Sequence, residues 1–209
     1  AMINYLGMMG WTMPDGEEKF TINEMVKNLS FDRISLGGPV FDIQKLTWLN
    51  GLYLRDLTVE QFQRQITDYL FNNENFNNIM PLMQARVDKF EDFIDKTAFF
   101  FSGDLNYDHE ADKNLKPKKI TTKQLTKAML KVVEGIDGLS KIDEQNIEQV
   151  LRNVCTEMEL KPRDLFMPIR VAVTGSKATP PLFETMAVLG KERLRRRIKS
   201  AVKYIKNNQ

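Results

Sequence analysis

Ile147-Glu-Gln-Val-Leu-Arg-Asn-Val-Cys-Thr-Glu-Met158 is the stretch whose reading decides the fold. Its apolar residues Ile147, Val150, Leu151, Val154, Cys155 and Met158 recur at i, i+3, i+4, i+7, i+8 and i+11. That is one stripe of a 3.6-residue helix, with charged and amide side chains on the opposite face. Leu125, Met129, Val132 and Val133 repeat the pattern upstream, and Leu194, Ile198, Ala201, Val202 and Ile205 repeat it downstream. No stretch alternates apolar and polar residues between paired turn signals, so the spacing predicts an all-α protein.

Start and stop signals divide the chain further. Thr21-x-x-Glu24, Thr58-x-x-Gln61, Thr121-x-x-Gln124 and Ser140-x-x-Asp143 have the form of capping boxes. In such a box a hydroxyl accepts from an early helix N–H while the acid or amide reaches back. The pattern predicts helices over 2–9, 22–29, 41–55, 59–72, 75–87, 90–99, 122–137, 143–159, 163–174 and 181–206. Pro168 is expected to start a new turn inside the ninth, because it cannot donate to the preceding carbonyl, and Gly190 to break the last. Further breaks fall at Ser35-Leu-Gly-Gly-Pro39, at Ser102-Gly-Asp104 and over 106–117, a polar stretch that reads as a linker. The expected partition is 1–56, 57–102, a linker over 103–117, and 118–209.

Composition narrows the function classes. The chain has 209 residues, enough for a sizeable core, with one cysteine and one histidine. A lone Cys155 excludes an internal disulfide and any paired-cysteine metal site, which fits a reducing compartment. With only His109 beside it, a His/Cys zinc site cannot be assembled, and a Ser-His-Asp or Cys-His site has a single base to draw on. No window approaches the roughly 18 apolar residues of a membrane helix, and no signal peptide is visible. The expectation is a soluble, cytoplasmic protein without a membrane partner.

The formal charge of +2 conceals a strong asymmetry. Residues 113–131 hold seven lysines and no acid, and residues 191–206 hold eight basic residues against Glu192, so each segment carries +7. The remainder carries −12. An acidic body with two basic segments suits a polyanionic partner, although either segment alone also reads as a solvated helix face.

No enzyme constellation can be built from these residues. Leu36-Gly-Gly-Pro39 lacks the spacing and the lysine of a phosphate loop. His109 lies in the polar run Asn106-Tyr-Asp-His-Glu-Ala-Asp112, which reads as an exposed, inert loop, and its acids lack the spacing of a calcium loop. Phe99-Phe-Phe101 and Cys155 read as core. The best site candidate is Pro168-Ile-Arg-Val-Ala-Val-Thr-Gly-Ser-Lys-Ala-Thr-Pro-Pro-Leu-Phe183. One helix should end at Gly175 and another start after Thr179, with Pro180 and Pro181 in its first turn. Arg170, Lys177 and a helix N-terminus would then lie together, which suits a phosphate or a base edge. A capped helix hairpin with surface cations is the other reading.

These residues also carry a resemblance. Ile169-Arg-Val-Ala-Val-Thr-Gly-Ser176, Thr179-Pro-Pro-Leu-Phe-Glu184 and Leu189-Gly-Lys-Glu-Arg193 resemble the C-terminal end of bacterial-type glutamyl-tRNA synthetases. So do Asn4-Tyr-Leu-Gly-Met-Met-Gly-Trp11, Pro14-Asp-Gly-Glu17, Arg33-Ile-Ser-Leu-Gly-Gly-Pro-Val-Phe-Asp42 and Lys45-Leu-Thr-Trp-Leu-Asn-Gly51. The strings run in order along nearly the whole chain and are sparsest over about 60–160. The family's HIGH-like and KMSKS-like ATP motifs do not occur here. The resemblance therefore implies a tRNA-binding tail whose first helix would follow a catalytic domain, with no catalysis or cofactor of its own. ATP and Mg would belong to the parent enzyme, a class I glutamate–tRNA ligase.

By the same resemblance, 1–56 is the end of a stem-contact region, and 57–102 and 118–209 are two small helical anticodon-binding domains. Arg170 matches an arginine that contacts anticodon bases, and Thr179, Pro180 and Leu182 match a Thr-Pro-x-Leu stretch walling those bases. Pro181 stands where some relatives have glycine. Arg86, in Leu82-Met-Gln-Ala-Arg-Val87, matches an arginine that reads the last anticodon base. Lys118, Lys119, Lys123, Lys177, Arg195 and Arg196 would take backbone phosphates, which give affinity without sequence information. The expected partners are tRNA(Glu) and the parent's catalytic domain, with the protein a monomer. A free-standing helical module binding nucleic acid or protein is the alternative that charge and helicity alone allow.

Overall fold

The computed structural model describes residues 1–35, 37–71, 74–117 and 119–208, and every regular element among them is helical. The chain forms two compact units, Ala1–Tyr69 and Leu70–Gln209.

The first unit opens with α1 (Met2–Met8), α2 (Ile22–Asn28), a single tight turn at Phe31–Arg33 and α3 (Ile43–Arg55). Helix α4 (Val59–Leu70) follows. Thr21 and Glu24 make the expected reciprocal cap on α2. Thr58 and Gln61 do the same for α4, at 2.9 and 3.3 Å. Burial centres on Trp11, Met13 and Phe20, with Trp11 edge-on to Phe20 at 5.7 Å. Buried Asn4 ties this knot to the helices. Its Oδ1 accepts from the Phe20 amide at 3.1 Å and the Tyr53 hydroxyl at 2.8 Å, while its Nδ2 donates to the Glu18 carbonyl at 3.0 Å. The unit also leaves large apolar side chains in water, Phe31 and Val40 at 84% and 86% exposure.

The second unit is built from α5 (Glu74–Gln84), α6 (Asp92–Phe101), α7 (His109–Leu115), α8 (Thr122–Asp137), α9 (Glu144–Glu157), α10 (Pro162–Thr174) and α11 (Leu182–Asn207). The stripes read from the sequence face one another: Met129, Val132, Ile147, Leu151, Ile198 and Ala201 are all fully buried in one cluster. Phe99 and Phe100 join it as core, and Cys155 is buried with a free thiol. A side chain at Gly135 would collide with Val150, so α8 and α9 approach closely at that glycine. Gly190, at φ 75° and ψ 163°, kinks α11 as expected, whereas Pro168 starts no new turn and is accommodated inside a continuous α10. Tyr107 donates to the Ala172 carbonyl at 3.1 Å, and burial pushes its phenol up to about 12.

Three local expectations are corrected. Helix α7 lies inside the stretch read as a linker, so His109 opens a helix rather than sitting in a loop. Asp108 caps it through the Ala111 amide at 2.7 Å, acids occupy its first turn, and Ala111 and Leu115 are buried. Two apolar residues one turn apart suffice to dock so short a helix, and they are too few to register as a stripe. The expected box at Ser140 does not form; Asp143 itself caps α9, accepting from the Asn146 amide at 2.9 Å. Finally, α11 starts at Leu182, with Pro181 extended before it at ψ 142°. A residue preceding proline is driven out of the helical region, so Thr179 and Pro180 must both pass before a helix can begin.

Candidate functional site

The segment singled out in the sequence folds into a helix–turn–helix whose corner is held by one arginine. Helix α10 ends at Gly175, left-handed at φ 78°, where glycine alone carries no Cβ penalty. The Thr174 hydroxyl donates to the Arg170 carbonyl at 2.7 Å and accepts from the Ser176 amide at 3.2 Å, closing the turn. Arg170 then crosses to the other side. Its Nη1 donates to Thr179 Oγ1 and to the Pro180 carbonyl, both at 2.6 Å. Burial pulls its pKa below the ordinary value, and the Glu184 carboxylate acts in the opposite sense. The important feature is asymmetry: Nη1 fixes the plane of the guanidinium, while Nη2 and Nε make no hydrogen bond among the described residues. A fork oriented this way keeps donors for an external acceptor.

The other residues named from the sequence fall into two groups. Thr179 is half-buried, whereas Pro180 is buried and Leu182 sits in the core at 5% exposure. Arg170, Thr179 and Pro181 are half-buried at this corner, beside the exposed turn Ser176-Lys-Ala178. Arg86 lies exposed just past α5, its Nη1 donating to the Leu82 carbonyl at 2.7 Å. Its own carbonyl accepts from Lys96 at 2.7 Å, which fixes the backbone there. An open concavity lies between α5 and α11, and neither arginine is among its walls. Its walls include Pro81 and Leu82 of α5, residues 141–145, and Glu184, Ala187 and Val188 of α11. Leu82 holds Arg86, and Glu184 acts on Arg170.

The basic segments divide once partners are assigned. Lys177 pairs with Glu110 of α7 at 2.5 Å. Arg195 is taken by Asp137 at 2.8 Å and Glu192 at 3.0 Å, and Arg196 donates to the Gly103 carbonyl at 2.9 Å. Lys191 donates to the Leu139 carbonyl at 2.7 Å, and Arg193 donates to that of Phe100. Sequence reasoning counted Arg197 only as surface charge, yet it is 1% exposed and donates to the Val173, Phe99 and Ser102 carbonyls. Much of the 191–206 charge thus caps the ends of α6 and α8, where carbonyls collect negative potential. Lys119 and Lys123 are exposed; Lys118 lies outside the described residues. No helix among the described residues is long and apolar enough to cross a membrane.

Comparison with known proteins gives a consistent answer. The model of the anticodon binding domain family matches residues 58–202. The chain is 40% identical over 206 residues to a glutamate–tRNA ligase of a Marinomonas species, covering 98% of this chain and 41% of that protein. It is 39% identical over 202 residues to the glutamate–tRNA ligase of Pseudomonas fluorescens, covering 97% and 40% respectively. The chain thus spans about two fifths of the length of these relatives. The fold is shared with the crystal structure of a glutamate tRNA ligase from Elizabethkingia meningosepticum, at TM-score 0.56 and 24% identity, over 98% of this chain and 41% of that one.

Proposed function

Because the chain belongs to the anticodon binding domain family and is homologous to the C-terminal part of glutamate–tRNA ligases, we propose that it reads the anticodon and stem of tRNA(Glu) for such an enzyme. The parent would attach glutamate to tRNA(Glu) using ATP and Mg, with the catalytic motifs outside this chain. The observation that carries the reading is the Arg170 fork, held by one nitrogen while its other donors make no hydrogen bond among the described residues. Anticodon bases are single-stranded and splayed, so their edges are open to such a fork as they are not in a duplex. Arg170 and Thr179 face the bases, buried Pro180 and Leu182 set the corner from behind, and Arg86 reads the third base. Lys119 and Lys123 take phosphates. Lys177, Arg195 and Arg196 join them only by giving up internal partners.

The catalytic domain of the same parent is the second proposed partner. Large apolar side chains of the first unit stand in water, among them Phe31, Val40 and Ile43 at 69% exposure, and such exposure marks a surface that another body covers. The parent acts in the cytoplasm as a monomer.

Glutamate and glutamine anticodons differ at the third position, C against G. An arginine donates to the O2 and N3 acceptors of C, whereas G presents N1–H and N2–H donors to it. A mismatched polar contact of this kind costs on the order of 1–3 kcal/mol. Arg86→Gln in the full-length enzyme is expected to relax discrimination between the two tRNAs by roughly tenfold or more. Charging selectivity identical to that of the unaltered enzyme would reject the role of Arg86.

A further inference from the structure

Once the internally neutralised cations are set aside, a compact group of lysines has no structural use. Lys119, Lys123, Lys127 and Lys131 follow one another at four-residue spacing into and along α8. Like charges one helical turn apart repel, and Lys123 lies in the first turn of α8, which holds no acid and where the helix dipole opposes a cation. Local stability therefore argues against this ladder. Among the described residues only Lys131 of the four is offset, by Glu157 at 2.5 Å. The end of α11 brings Lys206 to the same place: Lys123, Lys127, Lys131 and Lys206 line one groove with Thr126, Leu130 and Glu134. The groove shares no lining residue with the concavity between α5 and α11.

We propose that Lys123, Lys127 and Lys206 form a second RNA contact that takes backbone phosphates and reads no base. The proposal rests on tRNA being the partner. Ammonium groups on flexible stems are compact point charges, suited to phosphate oxygens and without the planar fork that discriminates base edges. The three are exposed and carry no ion pair among the described residues, so none must release an internal partner to bind. In this they differ from Lys177, Arg195 and Arg196.

The test is the triple variant Lys123→Ala, Lys127→Ala, Lys206→Ala in the full chain, titrated with tRNA(Glu) and with tRNA altered in the anticodon, at several salt concentrations. Each phosphate contact contributes roughly 0.7–0.9 to the slope of log affinity against log salt. The variant is expected to lose tenfold or more in affinity at low salt and about two to three in that slope. Its preference among anticodons should match that of the unaltered chain, and its melting temperature should be no lower, because the ladder opposes the helix. Unchanged affinity and slope, with the unaltered chain still binding, would overturn the groove alone. A changed anticodon preference would also overturn it, because the lysines would then touch bases. If the unaltered chain bound no tRNA at any salt, the tRNA reading would fall together with the groove.

Discussion

Arg197→Met is expected to lower the melting temperature of the unit spanning 70–209 by roughly 10 °C or more, corresponding to about 3–5 kcal/mol. The reason lies in what the guanidinium satisfies. Nη1 donates to the Val173 carbonyl at 2.6 Å, and Nη2 donates to those of Phe99 at 2.7 Å and Ser102 at 2.6 Å. These are backbone oxygens near the ends of α6 and α10, so no other side chain can remove their need for a donor. A methionine of similar reach fills the space and leaves three buried carbonyls unpaired, each a cost of about 1–3 kcal/mol before relaxation. Burial, with Arg193 and Arg196 nearby, pulls the Arg197 pKa down to about 10, so the cation itself is held against a penalty. Arg197→Lys, which can reach one carbonyl, should fall between the two. A Met variant melting within about 2 °C of the unaltered chain would show that the carbonyls find other partners.

Arg170→Lys should cut affinity for tRNA(Glu) by roughly tenfold or more while leaving the salt slope unchanged. Lysine keeps the charge and can keep a bond to the Pro180 carbonyl, now made by Arg170 Nη1 at 2.6 Å. What it loses is the second arm of the fork, worth on the order of 1–3 kcal/mol when it meets a base edge. The loss should therefore depend on the anticodon, with tRNAs already altered there losing little more. A uniform loss across anticodons, or a lowered salt slope, would make Arg170 a phosphate contact.

How much of this was legible in the sequence depends on how many residues carry each signal. The stripes of α8, α9 and α11 each repeat an apolar position over several turns, so they survive any error at one residue, and they pack as the spacing requires. Helix α7 rests on Ala111 and Leu115 and was hidden. The corner at Arg170 could be placed because Gly175 and the two prolines fix chain direction by local sterics alone. Its tie to Thr179 and Pro180 is a tertiary fact that spacing cannot supply. The basic segments misled in a specific way. Charge can be counted in a sequence, but carbonyl acceptors cannot, so Arg193, Arg196 and Arg197 looked like free cations when they cap the end of α6. Lys123 and Lys127, indistinguishable from them by composition, face water.

The central claim is that the chain reads bases as well as attracting phosphate, and one titration separates the two. Affinity of the unaltered chain is measured for tRNA(Glu) and for the same tRNA with each anticodon base replaced, at a low and a moderate salt concentration. Every affinity should fall with salt, while the preference for the glutamate anticodon persists at both. Affinities that fall with salt and are equal for all anticodons would reduce the interaction to generic attraction between cations and phosphate, and would contradict base reading.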